Sequence, residues 1–98
     1  MTYEDGFQWL QGPNLHQYIH QIAELMQLEH DPEMRSKFVE LVGYADLFEY
    51  IPVLVEQLSH DSRDVRFWAY NQLSLSEHEI AKAHAARYMQ NHPEEDFY

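Results

Sequence analysis

A chain of 98 residues with 45% hydrophobic side chains, three Gly and no Cys is one small globular domain without disulfides, thiolate metal sites or cysteine nucleophiles. Seventeen acids against six bases leave a net charge of −11 with His neutral, a field that repels nucleic-acid backbones and anionic lipids and steers basic proteins inward. The opening MTYEDGFQWL lacks the basic and apolar regions of a secretory signal, and no stretch approaches the ~20 apolar residues of a membrane span, so a cytoplasmic, soluble protein is expected.

Residues 1–13 are expected to form an arm or a short helix that stops at the Gly12-Pro13 break. Leu15, Tyr18, Ile19, Ile22, Ala23 and Met26 then repeat at the spacing of one helix face, with Asn14 and Gln17 placed as a capping box. Asp31 caps the next helix and Pro32 takes its first position, where a missing N–H is harmless. Its stripe is Met34, Phe38, Leu41 and Val42, and Gly43 is expected to stop it. Asp46 and Glu49 read as a second capping box for a helix carrying Tyr50, Ile51, Leu54 and Leu58 inward, bent by Pro52. Asp61 or Ser62 opens a fourth helix with Val65, Ala69 and Leu73 four residues apart. Ser76 and Glu79 open an Ala-rich last helix reaching about Asn91, and residues 92–98 are expected to fray as an acidic tail. No alternating β-branched run occurs.

The chain repeats itself at an offset of 31 residues: Arg35, Phe38 and Val42 stand at the mutual spacing of Arg66, Ala69 and Leu73, and Asp31 and Asp61 precede them. The stretch IPVLVEQLSHDSRDVRFWAYNQL resembles a HEAT repeat in its Pro-containing apolar helix, its Asp-containing turn, its Val-Arg pair and its Ala and Leu. The first repeat departs from that pattern, with Phe38 in place of Ala and no Pro in its first helix. The resemblance spans about Leu15 to Leu73. It implies an all-α fold: a short right-handed α-solenoid of two HEAT-like hairpins, residues 14–43 and 46–74, with a capping helix over 76–91. It also implies that Asp31, Arg35, Asp61 and Arg66 tie neighbouring repeats together.

Chemistry-bearing constellations are few. His16, His20 and Glu24 share one helix face at i+4 spacing and form a weak metal candidate, but that face lies opposite the apolar stripe and reads first as solvated. His78-Glu79 is a single pair and cannot build a di-iron site of the kind some HEAT-like proteins hold. The sequence has no nucleophile elbow, phosphate loop or zincin spacing, so no enzyme and no cofactor are expected. The fourth helix carries apolar side chains away from its inward stripe. Phe67 and Tyr70 point outward beside Arg63, Asp64 and Asn71, and Val39 and Glu40 occupy outward positions one repeat earlier. These seven residues are the expected partner-binding surface, an aromatic centre ringed by charge. Trp9 and Trp68 read as core.

Size, charge and fold together resemble small acidic immunity proteins of bacterial toxin systems. The resemblance implies a protein that blocks a basic toxin or nuclease domain. A non-inhibitory adaptor and an acidic DNA mimic are the alternatives, and an open end of a two-repeat stack would permit a homodimer.

Overall fold

The computed structural model describes residues 15–97, with the exception of the His16 side chain. The expected arm over residues 1–13 and the Asn14 cap lie outside the described residues. Within them the chain is all-α. Helices α1 (Leu15–Leu28), α2 (Pro32–Ala45), α3 (Ile51–Gln57), α4 (Arg63–Leu75) and α5 (Glu79–Asn91) follow one another without a strand. Short 3-10 turns stand at Phe48–Tyr50 and Pro93–Glu95. No helix among the described residues is long and apolar enough to cross a membrane.

Short connections force consecutive helices to fold back on one another. α1 packs on α2 and α3 on α4; α2 and α4 then pack along each other, and α5 closes on the far side of α4. Both α2 and α4 are therefore covered on more than one side. The core follows the helical stripes: Leu15, Ile19, Ile22 and Met26 from α1, Val42 from α2, Leu54 from α3, Val65, Ala69 and Leu73 from α4, and Ala81 and Ala85 from α5. Each fully buried Val, Leu, Ile or Met side chain among them contributes about 1.5–3 kcal/mol of transfer free energy.

Several local expectations change in three dimensions. α2 does not stop at Gly43; it continues to Ala45 and ends at Asp46, whose φ of 52° lies in the left-handed region. An Asp tolerates that conformation better than most side chains because its short polar group bonds locally. Gly43 instead marks a close approach between helices. A Cβ on it would lie 2.3 Å from Cβ of Gln72 on α4. The Asp46–Glu49 capping box is not formed, since Asp46 closes α2 and a 3-10 turn leads into α3. Pro52 falls in the first turn of α3, where its missing N–H costs no intrahelical hydrogen bond, rather than in the second turn as expected. Ser76 likewise lies ahead of the helix it was expected to cap: α5 begins at Glu79. Its hydroxyl bonds Asp46 Oδ1 at 2.6 Å and accepts the His78 N–H at 3.0 Å.

Residues 92–97, expected to fray, are packed onto the bundle. Pro93–Glu95 form a turn, and Phe97 is buried with 8% of its surface exposed. An acidic stretch is usually a solvated one, but here Glu95 and Phe97 each find a specific partner on α4.

Candidate protein-docking surface

The outward face expected on α2 and α4 is partly covered. Val39 is fully buried, with 0% exposure. Ser36, Val39 and Gly43 recur at i, i+3 and i+7 and are all buried, which gives α2 a second inward stripe of small side chains next to its large one. Glu40 is half-buried beside it. Phe67 and Tyr70 are half-buried and covered by Phe97, with ring centroids 5.6 and 5.4 Å away. Arg63 donates to the Glu95 carbonyl at 2.8 Å, and its guanidinium carbon sits 5.0 Å from the Phe97 ring centre. Asp64 is exposed and Asn71 half-buried. The seven residues expected to receive a partner thus do not form one open aromatic face: Val39 belongs to the core, and the chain's own tail occupies the space over Phe67 and Tyr70.

The repeat residues take up related positions. Arg35 Nη1 donates to the carbonyls of Gln27 and Glu29, each at 3.3 Å, and its Nε donates to Gln57 Oε1 on α3 at 2.9 Å. Arg66 Nη1 donates to the carbonyls of His60 and Asp61, each at 2.9 Å, and its Nε donates to Glu95 Oε2 at 2.6 Å. Glu29 and His60 are themselves 31 residues apart, so each arginine holds the same carbonyl of its own hairpin and reaches to the next unit. The two aspartates differ. Asp31 caps α2 by accepting the Glu33 N–H at 3.4 Å, whereas Asp61 contributes its main-chain carbonyl and Ser62 stands at the N-cap of α4.

The Arg66–Glu95 contact shapes the electrostatics of the tail. The Arg66 guanidinium, helped by the Tyr88 hydroxyl at 2.5 Å, lowers the Glu95 carboxyl from an ordinary 4.5 to about 2 against the opposing effect of burial. Burial, together with the neighbouring Glu95 carboxylate, raises Tyr88 from 10.0 to about 12.

Of the weak metal candidate His16, His20 and Glu24, the His16 side chain lies outside the described residues. The His20 imidazole is hydrogen-bonded through Nδ1 to the Tyr50 hydroxyl, and Glu24 is exposed. Among the described residues no group of three His, Asp or Glu side chains is placed to hold a metal ion.

Open apolar surface lies elsewhere, around the junction of the α2–α3 and α4–α5 connections. The Asp46 carboxylate bridges that junction, taking the Ser76 hydroxyl and the Glu77 N–H at 2.6 and 2.9 Å. Phe48 stacks edge-on against His78 with centroids 5.6 Å apart. Phe48 remains 62% exposed and Ile80 49%. Both line a groove of about 350 Å³ between α3 and α5, whose floor is Ile51, Pro52 and Val55. Tyr44 at 62% and Leu75 at 71% exposure flank the same clasp, two residues before Asp46 and one before Ser76. The exposed carboxylates Glu49, Glu77 and Glu79 surround this apolar group, and the nearby cation Lys82 is already 3.8 Å from Glu79.

Sequence periodicity missed this surface because Phe48, Tyr44 and Leu75 sit at helix ends, where no stripe assigns a direction. The available signal was the placement of large apolar residues next to connections rather than within stripes. Exposed acids occur on every described helix, among them Glu24, Glu33, Glu56, Asp64 and Glu79, so the apolar group beside the groove, rather than charge, marks a face; Leu25 and Leu28 on α1 are exposed apolar side chains outside it. No protein-family model, no curated protein and no solved structure matches this chain.

Proposed function

We propose that this chain is a protein-binding module, a short HEAT-like stack of two hairpins whose partner docks on the α3/α5 groove and the exposed apolar residues beside it. The observation that carries the reading is the apolar surface of Phe48 and Ile80 over a groove floor of Ile51, Pro52 and Val55, rimmed by Glu49, Glu77 and Glu79. Desolvated apolar anchors within a charged rim are the usual anatomy of a binding hot spot. The equivalent hydrogen bonding of Arg35 and Arg66 supports the repeat reading.

The finer reading is an immunity-type inhibitor of a basic toxin or nuclease domain in the cytoplasm. A net charge of −11 supports it, because such a field accelerates encounter with a cationic protein and discourages anionic ones. The exposed groove replaces Phe67 and Tyr70 as the aromatic centre. The direct test is a binding and inhibition survey of purified basic nuclease toxin domains by titration calorimetry and nuclease assay. Tight binding with loss of nuclease activity supports the inhibitor. Binding that leaves the nuclease active identifies an adaptor, and a survey in which no basic domain binds removes the reading.

A further inference from the structure

A second cavity, of about 450 Å³, opens between the α3–α4 connection and α5 and shares Val55 and His84 with the docking groove. Its chemistry is unlike the rest of the surface. In a chain with 17 acids and six bases, the side chains lining it include Arg66, Arg87, His60, His84 and His92 and not one carboxylate. Of the acids near it, Glu95 is held by Arg66, and the exposed Asp61, whose carboxylate acts on His60, does not line the cavity.

The bases of this protein are otherwise occupied. Arg35, Arg63 and Arg66 are bound to main-chain carbonyls and to Gln57 or Glu95. Lys82 faces Glu79, and Lys37 also has a partner. Among the described residues Arg87 is the one cation without a hydrogen bond or ion pair, and His84, one turn before it on α5, has none either. On the opposite wall His60 accepts the Ser62 N–H at Nδ1 at 3.0 Å, which puts its ring proton on Nε2, the nitrogen left to donate. Val55 and Leu58 supply an apolar wall.

We propose that this cavity is a binding site for a small phosphate monoester with an apolar body. Arg87 takes the phosphate as a charged fork, His84 and the Nε2–H of His60 take further oxygens from either side, and the organic part lies on Val55 and Leu58. Three donors approaching from two elements suit the three terminal oxygens of a phosphomonoester better than the two coplanar oxygens of a carboxylate. The overall negative field opposes any anion, but at physiological salt the Debye length of about 8 Å confines that opposition, and the local cations decide. The proposal does not rest on the protein-docking reading, although the two cavities share Val55 and His84.

The test is titration of the full chain with phenyl phosphate, inorganic phosphate and benzoate at physiological ionic strength, following histidine side-chain NMR resonances and calorimetric heat. Phenyl phosphate should shift the His60 and His84 resonances and bind more tightly than the other two. Arg87→Gln should weaken it by about tenfold or more, the scale of one lost charge-assisted contact. His84→Gln should weaken it less. Lys82→Gln, which removes the same charge from α5 outside the cavity, should leave it unchanged. Equal losses in Arg87→Gln and Lys82→Gln would reduce the effect to net charge and overturn the site. Benzoate binding as well as phenyl phosphate would overturn the choice of phosphate, and inorganic phosphate doing so would overturn the apolar half. No saturable shift with any probe would remove the proposal entirely.

Discussion

Arg66 on α4 grips Glu95 through two hydrogen bonds, 2.6 Å from Nε and 3.1 Å from Nη2, across 29 residues of sequence. This pair turns an acidic tail into part of the fold. It is mostly shielded from solvent, with side-chain exposures of 21% and 10%. Each partner is also bonded elsewhere, Arg66 to two carbonyls and Glu95 to the Tyr88 hydroxyl. Satisfaction of the remaining polar groups is what makes a shielded ion pair tolerable.

Breaking this anchor should show in acid. A carboxyl lowered from 4.5 to about 2 stabilises the fold fully above its unfolded value, and that contribution disappears as pH falls from about 4.5 towards 2. Glu95→Gln should lower stability at pH 7 by about 1–3 kcal/mol and remove part of the acid dependence in that window. Urea unfolding of both proteins between pH 2 and 7 measures it. Parallel curves for the two proteins would mean that Glu95 is not held by Arg66.

Tyr88 makes the opposite limb. A hydroxyl raised from 10.0 to about 12 contributes stability that is complete below about 10 and is lost as pH rises towards 12. Tyr88→Phe should flatten the alkaline loss between pH 10 and 12, and absorbance at the tyrosinate band should show one late-titrating tyrosine missing. A variant with the same alkaline profile as the parent would contradict the shielded Tyr88–Glu95 contact.

Phe97 is the apolar half of the tail anchor. Phe97→Ala should destabilise the protein by about 2–3 kcal/mol, less than a central core phenylalanine, because only the tail is free to lift away. Hydrogen exchange should speed up over residues 92–97 and at the exposed side of α4, while α1 and α2 remain protected. Unchanged stability would show that the ring contributes no burial over Phe67 and Tyr70.

Gly43 separates packing from helix propensity. Alanine is the better helix former by about 1 kcal/mol. Its methyl would nevertheless meet Cβ and Cγ of Gln72 at 2.3 and 2.4 Å, and overpacking of that kind costs about 1–3 kcal/mol. Gly43→Ala should therefore lower the melting temperature, and Gly43→Ala with Gln72→Ala should recover much of the loss. A single variant more stable than the parent would rule out the close approach of α2 and α4.

For the docking surface, Phe48→Ala and Ile80→Ala should change stability by little, since both side chains are largely exposed. Each should weaken a bound basic partner by about 2 kcal/mol if it is a hot-spot residue. Rising salt should slow association more than it speeds dissociation. Phe67→Ala should do the reverse, costing stability first. Calorimetry and stopped-flow binding beside thermal melts distinguish these outcomes, and a Phe48→Ala variant that binds at full strength would exclude the groove.

Residue order alone carries whatever one helix can settle. The period of apolar residues placed all five helices and buried Val65, Ala69, Leu73, Ile19 and Ile22 on the expected sides, because each stripe is a local property of 3.6 residues per turn. Packing settles the fate of residues whose neighbours come from elsewhere in the chain. Val39 is buried because α2 lies between α1 and α4 and so has two covered faces, and a hydrophobic stripe reveals one. Gly43 reads as a helix stop in one dimension and as a contact point in three. Phe67 and Tyr70 are outward relative to their own helix, yet Phe97, roughly 30 residues later, lies over both. Periodicity fixes a direction around one axis; coverage depends on which distant segment arrives there, and that is settled by shape and charge complementarity once the helices have packed.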